Sequence, residues 1–361
     1  MPEAFRILVI NPGSTSTKIS LFENSGEIFT ETLRHGSDEL AAYRRVIDQL
    51  DFRMGAIENT LVSKNVSLRS LHAIVARGGV LHPVPSGTFE INERMLKDLR
   101  TCRYGEHASN LGALVAAKVA QRRGIPSYIV DPVVVDELDE ISRLSGHPAL
   151  PRLSRFHALN QKAVAREAAR ILDKDYESLN LVIAHLGGGI SIGLHKKGRV
   201  VDVNNALNGE GPFTAERTGT LPAGDLVELC FSGKYRHEEM QRMIKGEGGL
   251  VAYLGTNNTL EVMRMIEAGD RKAEIVYRAM AYQVAKEIMA LFAGAEGKVD
   301  AVVLTGGVVN DGTYIVPWIE KMIGNAARLI VIPGEEEMTA LALGALRVLR
   351  GDEKAQEYRA Q

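Results

Sequence analysis

The sequence predicts an α/β fold built twice, as two mixed sheets each covered by helices. Three observations predict it. Val9-Ile10-Asn11-Pro12-Gly13-Ser14 is an apolar run that breaks into a small-residue turn and resumes at Ile19-Ser20-Leu21-Phe22. Ile183-Ala184-His185-Leu186-Gly187-Gly188-Gly189 repeats the device and resumes at Ile190-Ser191-Ile192-Gly193-Leu194. After each hairpin, helical periodicity alternates with short apolar runs.

The elements follow in order. Arg6–Ile10, Lys18–Phe22 and Glu27–Thr30 read as strands joined by tight turns, the second turn being Asn24-Ser25-Gly26. Ser37 is placed to cap a helix running to about Leu50, with Leu40, Tyr43, Ile47 and Leu50 on one face. Ala73–Ala76 is a short strand ending at Arg77-Gly78-Gly79. A helix from about Asn110 to Arg123 stops at Gly124-Ile125-Pro126, and the buried strand Ser127–Val130 delivers Asp131. Helix Leu159–Leu172 bridges to strands Leu181–Ala184, Ser191–His195 and Arg199–Val203. The remainder reads as helix Arg271–Phe292, strand Ala301–Leu304, helix Tyr314–Ile323, strand Leu329–Ile332 and helix Glu335–Leu349. No Pro- or Ser-rich linker divides the halves, so the boundary belongs within or beside the Leu159 helix.

At 361 residues the chain can bury two cores of ordinary size. Apolar residues make up 45% and charged residues 24%, a globular rather than disordered balance. A net charge of −2 supplies no general attraction to nucleic acid or anionic lipid. Cys102 and Cys230 form no CxxC pair, which argues against a zinc site or disulfide framework and fits a reducing cytoplasm. The opening Met1-Pro2-Glu3-Ala4 lacks the shape of a signal peptide, and no apolar stretch approaches a membrane span.

Several catalytic motifs are excluded. No GxxxxGK[ST] follows a strand, and Gly187-Gly188-Gly189 fails GxGxxG because Ile192 stands where the third glycine belongs. HExxH, GxSxG and the kinase HRD set do not occur. Three glycine turns remain: Asn11–Thr15, His185–Gly189 and Thr305-Gly306-Gly307. Each alone reads as an ordinary turn. Together, each after a strand and spread over both halves, they form the backbone N–H cradles that hold phosphate oxygens.

Charged residues stand just past strand ends, where ligand sites of open α/β sheets lie. Arg77 and Asp131 do so in the first half, while Arg217 sits in a loop with Thr214, Thr218 and Thr220. Taken singly, each reads as a solvated surface residue. Glu335-Glu336-Glu337 fits either a helix's acidic first turn or a metal site. Of the nine histidines, His107, His157 and His185 occupy loop or strand-end positions, and the others read as surface or turn residues.

These residues resemble a known family. Ile10-Asn11-Pro12-Gly13-Ser14-Thr15-Ser16-Thr17-Lys18 is similar to the opening signature of the acetate and butyrate kinases, and His185–Gly189 to their second signature. Ala76-Arg77-Gly78-Gly79, Tyr104–Asn110, Val130–Glu137 and Phe156-His157-Ala158-Leu159-Asn160-Gln161 resemble the butyrate kinase branch, and the likeness runs nearly end to end. The resemblance implies two RNase-H-like domains of the actin, hexokinase and heat-shock ATPase superfamily, with ATP and Mg²⁺ bound in a cleft between them. The expected division is 1–155 with a C-terminal helix 345–361 for one domain and 156–344 for the other.

By the same resemblance, the reaction transfers a phosphoryl group reversibly from ATP to a short-chain fatty acid, butyrate or isobutyrate, giving an acyl phosphate. A carboxylic acid with pKa near ~5 is already ionised at neutral pH, so its nucleophile needs no general base. What the reaction needs is cations and preorganised donors around the transferring group. The family pattern gives that work to Arg77, Arg217 and His157, with Asp131 orienting Arg77 or a metal-bound water. It gives nucleotide contacts to Asn11, Ser14, Thr15, Lys18, His185, Gly187, Gly188, Gly189, Thr305, Gly306, Gly307 and Val308. Mg²⁺ falls to Asn11 and Glu335, with Glu337 the other candidate. Gly79, His107, Phe156, Asn208 and Gly209 border the acid. Gly79 stands where acetate kinases place valine, and Asn208-Gly209 where they place Pro-Leu. These glycines predict a larger acyl pocket and, at about 0.8 kcal/mol per buried methylene, a roughly tenfold preference for butyrate over acetate. Asn258-Thr259-Leu260 departs from the family's Asp-x-Arg triplet at the adenine side.

Two other classes compete. A sugar or glycerol kinase of the superfamily needs a carboxylate base and lacks the Arg77, His157, Arg217 set. A nucleotide-gated regulator or chaperone ATPase adds a DNA- or peptide-binding domain, for which the chain leaves no room. A homo-oligomer, at least a dimer, is expected, with neither nucleic acid nor membrane as partner.

Overall fold

The computed structural model describes residues 4–359. The chain divides into two compact units: the first holds residues up to Val135 and from Glu336 on, and the second holds Asp136–Glu335.

In the first unit a seven-stranded sheet runs in the order Gln356–Glu357, Thr88–Glu90, Ser127–Val130, Ala73–Arg77, Arg6–Pro12, Ser16–Glu23, Gly26–Arg34. The last three strands form an antiparallel meander, while Ala73–Arg77 and Ser127–Val130 add in parallel beside Arg6–Pro12. Ile7, Leu8, Val9 and Ile10 are all fully buried, as a central strand covered on both faces must be. Alternation then divides them: Leu8 and Ile10 face Ile57, Leu61, Val115 and Val119 of helices Leu50–Ser63 and Asn110–Gln121. Helix Glu337–Arg350 completes the unit by packing on the same strands. Gly344 permits this approach, because a Cβ there would lie 2.5 Å from Val130.

The second unit repeats the plan in a five-stranded sheet ordered Arg328–Pro333, Ala301–Gly306, Asn180–Leu186, Ile190–Lys196, Arg199–Val203. Again three strands form an antiparallel meander and two add in parallel. Val182, Ala184, Val302 and Leu304 meet Tyr277, Met280, Val284 and Ile288 of helix Arg271–Leu291. The alternate residues Leu181, Ile183, Ala301 and Val303 meet Ala165 and Ala168 of helix Ala158–Leu172 on the opposite face. No helix among the described residues is long and apolar enough to cross a membrane.

The structure corrects several readings. The helix expected from Ser37 to Leu50 is instead a short helix, Ser37–Ala41, then a 3-10 turn, Val46–Gln49, and the principal helix Leu50–Ser63. The apolar spacing was real but belongs to a stripe that continues through Met54, Ile57 and Leu61. Strand Thr88–Glu90 and helix Glu93–Arg100 escaped notice, as did four helices between Ala223 and Glu267. Helix Ala223–Phe231 carries no buried residue. The units divide at 135/136 and 335/336 rather than at 155/156 and 344/345. Residues 136–155 lie with the second unit because Asp139 N–H bonds Val201 O and Arg152 pairs with Asp202. The final helix ends at Gly351, after which Gln356–Glu357 pairs in parallel with Phe89–Glu90; the end of the expected 345–361 helix lies outside the described residues.

Candidate active site

In the first unit the turn after strand Arg6–Pro12 is held from beneath by a residue the sequence did not mark. Arg53, 1% exposed, sends Nη1 to the carbonyls of Gly13 (2.8 Å) and Ser16 (2.9 Å) and Nη2 to that of Ser14 (3.0 Å). Gln49 Oε1 accepts from both Nε and Nη2, which satisfies the rest of the guanidinium. Burial pushes its pKa down from the usual arginine value, yet an arginine retains its charge in such a setting. With three carbonyls drawn inward, the turn's exposed tip is Ser14 and Thr15. Gly13 N–H is used within the turn, on Ser16 O. Lys18 follows on the exposed side of strand Ser16–Glu23.

Asn11 stands at the end of its strand, and its Nδ2 donates to Glu337 Oε2 at 2.7 Å. The same oxygen accepts from Arg77 Nη1 at 3.0 Å. Asn11, Arg77 and Glu337 therefore form one cluster in the first unit. Glu337, not Glu335, is the partner of Asn11. Asp131, in a left-handed conformation (φ 37°), accepts at Oδ1 from Ser86 Oγ (2.6 Å) and Gly87 N–H (2.7 Å), while Arg77 donates to the carboxylate of Glu337. Asp131 thus fixes the loop before strand Thr88–Glu90 through Oδ1. His107 is exposed and bonds Ser109 through Nδ1 at the entry to helix Asn110–Gln121.

In the second unit the rings of His157 and His185 stack with centroids 3.8 Å apart and planes 13° from parallel. His157 Nδ1 lies 2.8 Å from Ser191 Oγ, and His185 Nδ1 lies 2.7 Å from Asn160 Oδ1. His185 Nε2 faces Glu335 Oε1 at 3.0 Å. Arg217 Nη1 donates to Ala206 O, at 2.6 Å, while its Nε is buried without a partner. Burial pushes this guanidinium's pKa down, partly offset by Glu216. Gly189 makes room for it: a Cβ at Gly189 would lie 2.3 Å from Arg217 Nη1 and 3.3 Å from His157 Cε1. Thr214 Oγ1 ties Gly188 O at 2.8 Å, and Gly187 leaves room for Glu335 and His185. His157, His185, Arg217, Gly187–Gly189 and Glu335 are one cluster.

The third glycine turn lies at the end of the neighbouring strand. Gly306 (φ 97°) packs against Leu186, where a Cβ would stand 2.3 Å from the carbonyl oxygen, and it exchanges backbone bonds with Gly334. Thr305 is wholly buried beneath it, and Gly307 is exposed. The side chain of Val308 belongs to the core, so only its backbone can face a nucleotide.

The acyl-pocket glycines have other work. A Cβ on Gly79 would stand 2.5 Å from Asn110 Oδ1 and 2.7 Å from both Asn110 Cα and Leu99 Cδ2. The volume it vacates is therefore filled by Asn110 and Leu99, a correction to the expected open space. Gly209 is required by its left-handed backbone (φ 79°), and Asn208 beside it is exposed. Phe156, 2% exposed, is a fixed wall next to His157. Asn258 caps helix Thr259–Glu267 by accepting from Leu260 N–H.

The sequence assigns no role to Arg53, Gln161 or Ser191, and the geometry joins Glu337, the alternative to Glu335, to Asn11. Gln161 and Ser191 lay inside or beside quoted motifs, but only the fold turns them towards His157. His195 and His35, read as surface or turn residues, are buried: His195 is fully enclosed between Tyr176 and Gln161, and His35 bonds Thr17.

A duplicated sheet whose strand ends carry glycine turns, arginines and histidines defines an α/β protein with anion-binding groups at its strand ends. The chain belongs to the acetokinase family. The profile of that family matches residues 150–325. Butyrate kinase 2 of Clostridium acetobutylicum is 53% identical over 98% of this chain and 99% of its own length. The fold is similar to a propionate kinase from Francisella tularensis (TM-score 0.73, 20% identity, 94% of this chain and 98% of that one). It is equally similar to the acetate kinase of Porphyromonas gingivalis (TM-score 0.72, 20% identity, 93% and 98%).

Proposed function

We propose that the protein is a butyrate kinase, transferring the γ-phosphoryl group of ATP to the carboxylate of butyrate or isobutyrate. A carboxylate oxygen forms a bond to Pγ as the Pγ–O bond to ADP breaks, and the electron pair leaves on the ADP β-phosphate. No proton changes hands in either direction. The half-identical relative that carries the name supports the choice of acid.

The observation that carries the reaction type is the buried Arg217 guanidinium laid along Gly189, with Nε lacking a protein acceptor, beside the stacked His157 and His185. A cation and two imidazoles placed together with a donor unspent call for an anionic oxygen. Arg217 and His157 would take the equatorial oxygens of the transferring group, and Gly187–Gly189 the β-phosphate. Arg77, in the first unit, would hold the carboxylate and the phosphoryl group. Thr305–Val308 would lie by the α-phosphate and adenosine. Ser14, Thr15 and Lys18 would meet the phosphates.

The oxygen donors fit Mg²⁺. Asn11 keeps Oδ1 for a cation once Nδ2 is spent on Glu337, whose carboxylate lies beside it. So sparse a set suits an ion that retains waters and phosphate oxygens. Asn11 and Glu337 would hold it, with Glu335 acting instead on His185. Bound there, it would neutralise phosphate charge.

The helix Arg271–Leu291 supports self-association. Its buried face is matched by an outer stripe of Ile275 (57% exposed), Tyr282 (53%) and Met289 (39%). Ile275 also borders a groove of 500 Å³ lined by Leu221, Pro222 and Tyr253. The free cysteines Cys102 and Cys230 fit a reducing cytoplasm.

The test is a hydroxylamine trap with purified protein, ATP, Mg²⁺ and a panel of acetate, propionate, butyrate, isobutyrate and valerate. Hydroxamate formed best from a four-carbon acid is the expected result. A preference for acetate or propionate reassigns the acid, and no hydroxamate from any acid ends the proposal.

A further inference from the structure

We infer that a buried chain of hydrogen bonds from Tyr176 through His195, Gln161 and Ser191 fixes the tautomer of His157, leaving its Nε2 protonated and facing the site. The inference deepens the phosphoryl-transfer reading and rests on it for its kinetic consequence, though not for its geometry.

The proton positions follow from one group that can only accept. Gln161 Nε2 lies 3.0 Å from the carbonyl oxygen of Ser191, so the amide nitrogen must be on that side; a flipped amide would set two acceptors against each other. Gln161 Oε1 then faces His195 Nε2 at 3.0 Å and accepts its proton. His195 is fully buried, and desolvation, reinforced by Lys162 and Arg166, pushes its pKa well down. A neutral ring carries one proton, so His195 Nδ1 accepts from Tyr176 O–H at 2.7 Å.

The other end is settled by the same counting. Ser191 Oγ accepts from Gln161 Nε2 at 2.8 Å, and the backbone N–H of His157 approaches it at 3.4 Å. With its lone pairs engaged, the hydroxyl spends its proton on His157 Nδ1 at 2.8 Å. Nε2 is then the protonated nitrogen of the neutral ring, which makes His157 a donor to an anionic oxygen. Gly193 keeps the path clear, since a Cβ there would stand 2.6 Å from Gln161 Oε1. Gln161, Ser191, His195 and Tyr176 are positioning residues: they act through His157.

The experiment is long-range ¹H–¹⁵N correlation on the full-length protein labelled in histidine, with His157 assigned by loss of its signals in His157→Gln. The expected spectrum shows Nε2 of His157 protonated and Nδ1 as a bare acceptor. A protonated Nδ1 with a bare Nε2 overturns the inference without recourse to any variant. Gln161→Met and Ser191→Ala should move the Nδ1 resonance as the lock is lost. In both, kcat should fall about tenfold, part of the 10²–10³ that loss of an oxyanion donor costs, with KM for either substrate unchanged. A His157 spectrum identical to wild type in folded Gln161→Met also overturns it. The two readings separate cleanly. The expected tautomer without hydroxamate from any acid keeps the relay and removes the acyl-transfer reading, whereas hydroxamate with the opposite tautomer does the reverse.

Discussion

Arg77 and Gly79 are two residues apart and illustrate how differently a shared motif is used. Arg77 reaches Glu337 yet stays 36% exposed at its side chain, so its charge is available to a ligand. Arg77→Ala should lower kcat/KM about 10²-fold or more, near the ~3 kcal/mol lost with an oxyanion donor. Arg77→Lys should restore little of it, because a point charge cannot bridge carboxylate and phosphoryl oxygens as a planar fork does. Steady-state kinetics check both, and an Arg77→Ala loss below threefold would remove the residue from the reaction. Gly79 has no open space beside it. Gly79→Ala drives a methyl into Asn110 and Leu99, and should cost about 1–3 kcal/mol, read as a lower urea midpoint, without moving the enzyme towards acetate. A stable variant with a raised acetate preference would restore the pocket reading. Residue types and chain positions could be read from the sequence, but what fills the space beside a glycine could not.

At the scale of elements, the strands with continuous apolar runs were legible almost to the residue: Ser127–Val130 and Arg199–Val203 stand where expected. Helix Ala223–Phe231 was not legible: none of its residues is buried, and Val227 and Phe231 face outward. The hairpin turns were found by composition, whereas their support was hidden in Arg53, a charged residue that resembles any solvated arginine until the helix Leu50–Ser63 turns it inward. Arg53→Met should leave the carbonyls of Gly13, Ser14 and Ser16 without their donor, at about 1–3 kcal/mol for buried groups left unpaired. The expected outcome is a raised KM for ATP and faster amide exchange over residues 11–17, and unchanged values of both would show that the turn holds itself. The end of the chain is anchored in the same way. Glu353 takes Thr88 N–H and Arg347 Nε, each at 2.7 Å. Burial alone would raise its pKa, but the Arg347 bond and charge, with the Thr88 N–H, outweigh it and hold the carboxyl below 4.5. The unfolded chain therefore protonates first on acidification. The stabilisation is complete above pH 4.5 and is lost as pH falls through the folded value. Glu353→Gln should be less stable than wild type at pH 7 by about 1–2 kcal/mol, and the gap between their urea midpoints should close as the pH falls below 4.5. A gap independent of pH would assign the effect to packing.

Over the whole molecule, the same three-strand meander with two added parallel strands occurs twice, and the duplication was legible because both copies keep an apolar strand, a glycine turn and a returning strand. The copies differ in what covers them. The central helix of the first unit, Asn110–Gln121, is nearly all buried, whereas helix Arg271–Leu291 of the second keeps apolar residues on its outer side. A helix apolar on both sides ordinarily has a second layer against it. Ile275, Tyr253 and the groove between them and Leu221 offer that layer a place to dock, and a second copy of this chain is the occupant that an isologous pair would supply. Light scattering on the wild-type protein should then give about twice 39.4 kDa. Ile275→Glu should return the single-chain mass, since an unpaired carboxylate buried in an apolar contact costs several kcal/mol. Hydroxamate formation per chain should survive in that variant, because Ile275 belongs to neither site cluster. A wild-type mass of one chain would leave the outer stripe without a partner and end the dimer proposal. Activity lost along with the second copy would instead mean that the Arg217 and His157 cluster is held in place by it.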